Sequence, residues 1–280
     1  MFIFAAQPQS IGKLIKDGMR FYKTAFSKVL LLVLSMAVLA NGLNPQLWNI
    51  DVHQYPHIYL WAFIVSMLLT TCFLCAIYKK MYLLGQQQQE ELARIPYKVF
   101  PSFLVVFISY IVFLVLLLIL GLLILVATTI CVAIPALAIT WLFSLSHNMM
   151  LHEGMIIIGI IAAVLFLLCD AFLWGTFVFY IPLILFDRAG PLDVVGKSIK
   201  LVWGNWWRTF AVLFVAFLLT TIILLPFMLL SVHYSPHQLD YIMAYKFYFW
   251  SAVVHIIGSL LLIPWMTAII LVLYNDLKLR

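Results

Sequence analysis

Long apolar runs divide this chain into segments, and the positive charge between them falls almost entirely in alternate gaps. Fifteen of the sixteen Lys and Arg lie in residues 1–28, 79–100, 187–208 and the tail, whereas the gaps at 44–57, 146–154 and 232–248 hold only Lys246. Such a chain has far more apolar surface than a water-soluble core can enclose. It is 66% hydrophobic and 9% charged, with a mean hydropathy of +1.14, where a soluble domain is roughly half apolar. A helix needs roughly 20 apolar residues to cross about 30 Å of hydrocarbon, and backbone groups in lipid must pair within their own segment. The runs near 26–43, 58–84, 102–128, 158–186, 209–231 and 249–274 are therefore expected to be transmembrane helices. The positive-inside rule then places both termini in the cytoplasm and requires an even number of crossings.

Residues 102–145 would be about 65 Å long as one helix, twice the bilayer core. Two crossings there would carry the basic segment 187–208 to the outside, against the charge rule, so one crossing to about residue 128 is expected. Pro135 then breaks the helix, and residues 134–150, with Trp141 and Phe143, lie in the outer interface or dip back in.

Val29 to Ala40 mimics a signal peptide with its cleavage site. The long amphipathic segment before it favours an uncleaved first helix. Cys72, Cys75, Cys131 and Cys169 all fall within or beside apolar runs. Cys72 and Cys75 have C-x-x-C spacing, but the soluble strand-to-helix context of a thioredoxin-like site is missing, so packing by small apolar residues is the expectation. The net charge of +6 comes from the expected cytoplasmic face, where it suits anionic lipid headgroups. Nothing in the sequence points to nucleic acid.

The chain also repeats itself at an offset of 184 residues. Ile11 to Phe26 aligns without gaps on Val195 to Phe210, with Gly, Lys, Ile, Lys and Phe in register. In the first copy Ile11, Leu14, Ile15, Gly18, Met19 and Tyr22 form one helical face, opposite Lys13, Lys16, Asp17, Arg20 and Lys23. In the second, Leu192, Val195, Ile199, Val202, Trp203 and Trp206 form the face, with Lys197 and Lys200 opposite. Helices of this kind are expected in the membrane plane, apolar face down, before the chain turns inward. Residues 87–101 look like a weaker third copy. The expected architecture is one integral membrane domain over 1–280, all-α, in three hairpin units (11–84, 87–145 and 192–274) with interfacial amphipathic helices.

Pro182 to Trp207 combines a Pro-ended helix, a polar turn and S-x-[KR]-L-x-W-x-N, here Ser198, Lys200, Leu201, Trp203 and Asn205. This stretch resembles the YciC family of bacterial inner-membrane proteins and, more distantly, the membrane domain attached to some glycerophosphodiester phosphodiesterases. The N-terminal amphipathic segment and the short basic tail look similar too, while residues 134–170 depart from the pattern. The resemblance implies a six-helix inner-membrane protein and brings no agreed reaction.

Polar residues in unusual places are the remaining candidates. The outer gaps hold His53, His57, His147, His152, His233 and His237, and both V-H-x-x-P-H segments recur between repeats. If these imidazoles converged they would bind Zn²⁺ or titrate together; otherwise they are a relic of duplication in interfacial loops. His152-Glu153 is not a zincin motif, because Ile156 occupies the second His position. Asp170 is the one acid deep within an expected crossing, where a carboxylate costs at least about 3 kcal/mol unless paired, protonated or wetted. With His255, Thr220 and Thr221 it would form a proton or ion relay; as a protonated packing group it would simply bond a neighbouring helix. Gly190 to Ser198 has five residues between its glycines where a phosphate loop has four, and it follows an apolar helix where a phosphate loop follows a strand. Trp203, Trp206 and Trp207 suit an interfacial anchor, and Gln86 to Gln89 a solvated linker.

No nucleophile, base or cofactor motif emerges. The sequence therefore points to a non-enzymatic, cofactor-free inner-membrane protein that organises membrane or envelope through lipid and membrane-protein contacts. The alternative is a transporter or flippase for a lipid or metal ion, with Asp170 and the outer His as its polar path. The charge asymmetry makes a direct prediction: in a background without the four native Cys, an impermeant thiol reagent added outside should label single Cys placed near residues 50 and 237 and spare one near 195. Strong labelling at 195 would mean that 102–145 crosses twice.

Overall fold

The computed structural model describes residues 2–45, 54–88, 95, 99–112, 178–233 and 241–280, with isolated positions at 115, 119, 122, 126 and 175. Among these the regular elements are all helices and there is no strand. They are α1 (Ile11–Gly42), α2 (Pro56–Gly85), α3 (Val99–Val112), α4 (Tyr180–Asp187), α5 (Asp193–Trp203), α6 (Trp206–His233) and α7 (Tyr241–Lys278). Val115, Ile119, Leu122 and Val126 are also helical and share one exposed stripe.

Among the described residues three helices are long and apolar enough to cross a membrane: α1, α2 and the Phe249–Lys278 part of α7. The pair Asp193–Trp203 and Trp206–Ile222, bent by 96°, adds a fourth when taken as one broken span. These correspond to the first, second, fifth and sixth expected crossings. Large apolar side chains point outward along them, among them Leu31, Phe63, Phe217 and Trp250. An apolar surface of that kind needs lipid, and the chain has the build of a membrane protein.

The first repeat differs from expectation. No turn separates an in-plane helix from a crossing, because α1 runs unbroken for 32 residues, about 48 Å against about 30 Å of hydrocarbon. The second repeat does turn, at Gly204-Asn205. At the offset of 184 those positions are Arg20 and Phe21, two residues that continue a helix, where Gly and Asn favour ending one and starting another. Burial nevertheless matches at four positions of the repeat. Leu14 matches Ser198, Gly18 matches Val202, Ala25 matches Thr209 and Leu32 matches Ala216, and all eight are buried. The amphipathic start of α1 thus turns Leu14, Gly18 and Phe21 to the bundle, while Ile11 and Met19 of the expected apolar face are exposed, as are Lys13, Lys16, Arg20 and Lys23.

The expected crossing at 158–186 is also interrupted, since Val178 and Phe179 form a turn ahead of α4. Pro182 explains it, lacking the N–H that would bond back to Val178 in a continuous helix. Arg188, in the left-handed conformation at φ 50°, then ends α4 and leads the chain towards α5.

Packing concentrates at the end of the bundle where α1 begins and α2 and α7 end. The largest fully buried side chains include Phe21, Ile77, Met81, Phe179, Ile269 and Tyr274. α1 makes its most extensive contact with α7, and a Cβ at Gly18 would collide with Ile269 Cδ1. Rings then link segments far apart in sequence: Phe2 stacks on Phe21 at 4.7 Å, Phe4 lies 5.8 Å from Tyr82, and Tyr82 stacks on Phe186 at 3.8 Å. Phe186 in turn lies 6.2 Å from Tyr274.

Close approach at Gly18 gives a sharp test. Gly18→Leu should overpack the α1–α7 contact and destabilise the protein by about 1–3 kcal/mol, read as an earlier midpoint in SDS unfolding from mixed micelles. The same substitution at Gly12, where a Cβ meets nothing within 4 Å, should leave the midpoint unchanged or raise it.

Candidate functional site

Among the described residues the helix ends at this packed end carry one buried acid. Asp276, in the last turn of α7, is 2% exposed, and an uncompensated carboxylate in such a place would be costly. Its compensation comes from three directions. The Gln9 backbone N–H donates to Oδ1 at 2.6 Å, Arg208 Nε donates to Oδ2 at 3.0 Å, and Arg280 Nε donates to Oδ2 at 3.2 Å. Arg208 and Arg280 also donate through Nη2 to the Gln9 carbonyl. The N-terminal segment, the first turn of α6 and the C-terminal turn of α7 are thereby fastened to one carboxylate.

Neighbouring contacts extend this clamp. Asn275 Nδ2 donates to the Ala5 carbonyl at 3.1 Å, and the Phe4 N–H donates to the Gly85 carbonyl at the end of α2. Asp187 accepts from the Tyr274 hydroxyl at 2.8 Å and pairs with Lys278 Nζ at 2.6 Å. Gln9 Oε1 and Thr209 Oγ1 are buried beside the clamp without a partner among the described residues.

Outside the clamp, the turn between α5 and α6 forms a cleft of about 540 Å³ lined by Trp203, Gly204, Asn205, Trp206, Trp207, Arg208 and Arg280. The S-x-[KR]-L-x-W-x-N residues build this corner. Ser198 is fully buried and lets α5 sit close to the bundle; Leu201 is half-buried; Lys200 and Trp203 are exposed. The Asn205 N–H donates to the Val202 carbonyl at 2.8 Å, and its own carbonyl accepts from the Thr209 N–H at 3.0 Å. One residue so closes α5 and opens α6.

The apolar face expected for α5 is mostly not the one turned to the bundle, which takes only Val202 from it. Val194, Ser198 and Val202 are buried against the bundle, whereas Leu192, Ile199 and Trp203 form a separate exposed ridge about a third of a turn away. Lys197 and Lys200 occupy the remaining third, exposed.

Most of the other sequence candidates lie outside the described residues: Asp170, His53, His147, His152 and His237. His233 ends α6 and is described in its backbone alone. His57 is exposed at the start of α2, its ring 6.3 Å from that of Tyr55, and His255 is exposed on α7. Thr220 and Thr221 donate to carbonyls of their own helix, Ala216 and Phe217. Among the described residues no three His, Cys, Asp or Glu are grouped to hold a metal ion, and Cys72 and Cys75 are free thiols on α2.

Compared with known proteins, the chain matches no family model, no curated protein and no solved structure.

Asp276 had no distinguishing mark in the sequence, because its principal partner, Arg208, is 68 residues away. Removing it should show what it holds. Asp276→Ala leaves the largely buried Arg208 without its carboxylate and should cost about 3–5 kcal/mol, while Arg280→Ala, which breaks a more exposed i,i+4 pair, should cost no more than about 1 kcal/mol. SDS unfolding midpoints of the two variants measure the contrast, and equal midpoints would remove the clamp from its central place.

Proposed function

We propose that this protein is a non-enzymatic, YciC-like component of the bacterial inner membrane, with six crossings and cytoplasmic termini, that organises membrane or envelope through contacts with anionic lipid and membrane proteins. The observation that carries the reading is the three-way division of α5: one face on the bundle, one exposed apolar ridge and one basic face. A helix with a ridge for acyl chains and lysines for headgroups is built to lie in the interface. The 96° bend into α6 supports the same placement, since it lets α5 run along the surface while α6 descends. The exposed lysines at the start of α1 add positive charge to that end. The buried clamp beside the corner would hold the surface helix at a defined height.

Charge reversal tests this reading. Replacing Lys13, Lys16, Lys197 and Lys200 by Glu should impair insertion or change orientation, because each basic residue near an anionic surface contributes about 1 kcal/mol. The readout is thiol accessibility at residue 195 together with membrane abundance. Unchanged topology and abundance would leave the repeat without an electrostatic role. Movement of a labelled phospholipid or of Zn²⁺ across vesicles containing the purified protein would instead establish the transporter alternative.

A further inference from the structure

The cleft at the α5–α6 corner has a more specific use than general adhesion to lipid. All the charged side chains that line it are arginines, Arg208 and Arg280. Two guanidiniums facing one buried carboxylate leave an excess of positive charge, and each arginine commits only Nε and Nη2 to Asp276 and Gln9. The Nη1 groups have no partner among the described residues, and a planar guanidinium is well shaped for phosphate oxygens. Trp203 and Trp207, 71% and 75% exposed, stand at the rim, and indoles of this kind favour the headgroup level of a bilayer.

An apolar track leaves the cleft along α6. Trp207, Phe214 and Leu218 are all exposed and follow at i, i+7 and i+11, one helical face. The distance from Trp207 to Leu218 is about 16 Å along the axis, close to half the hydrocarbon thickness. Phe210 supports the track from behind, 5.6 Å from Trp206 and 5.7 Å from Phe214. A free phosphate would use the arginines and ignore the track; a phospholipid uses both.

We propose that this cleft binds one anionic phospholipid, its phosphate held by Arg208 and Arg280 between Trp203 and Trp207 and one acyl chain lying along Phe214 and Leu218 of α6. The proposal rests on the lipid-contact reading above and narrows it to one site. The test is native mass spectrometry of the full chain in mild detergent, offered phosphatidylglycerol, phosphatidylcholine or inorganic phosphate. One phosphatidylglycerol should be retained in preference to phosphatidylcholine, and excess inorganic phosphate should not displace it. Arg280→Gln should reduce retention about tenfold through loss of a charge-assisted contact. The double variant Trp207→Ala/Phe214→Ala, which leaves the clamp intact, should weaken it while keeping the wild-type SDS unfolding midpoint. Equal retention of the two lipids, displacement by inorganic phosphate, or unaltered retention in both variants would overturn the site. If the site fails while charge reversal on α1 and α5 still disturbs topology, the general lipid-contact reading stands without it.

Discussion

A carboxylate removed from water demands partners, and the partners chosen by Asp276 determine how this bundle closes. Gln9, Arg208 and Arg280 belong to segments that begin, cross and end the chain, yet they meet on two oxygens. Breaking such a contact leaves a charge stranded in a low dielectric, so the N-terminal segment, α6 and the tail of α7 are held as one unit. The rings of Phe2, Phe21, Tyr82, Phe186 and Tyr274 add apolar contact between the same helix ends. This packed end is where α5 and the cleft are mounted.

Away from that end the described helices turn large apolar side chains outward. In water such an arrangement would aggregate, whereas in lipid the exposed faces are already in a matching solvent and need no protein partner. Polar pairing and aromatic contact can then be confined to one end. Lys79 and Lys278 illustrate the transition, each lying over a ring, Phe186 and Tyr274 respectively, with aliphatic stems that can follow apolar surface while the charge stays near water.

The two repeat copies show how little is needed to give one pattern two uses. Both bury four matched register positions, but Arg20-Phe21 continues a helix and Gly204-Asn205 interrupts one. In the straight copy Phe21 is free to stack into the aromatic contacts and Gly18 lets α1 approach α7. In the bent copy the apolar residues divide between bundle and surface, which leaves Leu192, Ile199 and Trp203 exposed. The bend also creates the cleft, since a continuous helix would bring Trp203 and Arg208 onto one rod with no corner between them.

Much of this was legible in the sequence because it follows from local composition and period. Apolar length predicted helices that cross a membrane, and the 184-residue repeat picked out two amphipathic segments, each of which begins or precedes an apolar helix. The separate surface helix expected at 11–24 was not found, because periodicity identifies an apolar face without saying whether lipid or protein covers it; Gly18 against Ile269 decided for protein. The clamp was invisible for a related reason. Asp276 reads as one acid in a basic tail, and only the folding that brings Gln9 and Arg208 beside it turns it into a buried junction. Periods and charge distributions are properties of neighbours along the chain, so the sequence alone determined helix type and membrane character. Which faces meet, and which carboxylate is enclosed, depend on approaches between residues up to 271 positions apart, and those only the tertiary structure decided.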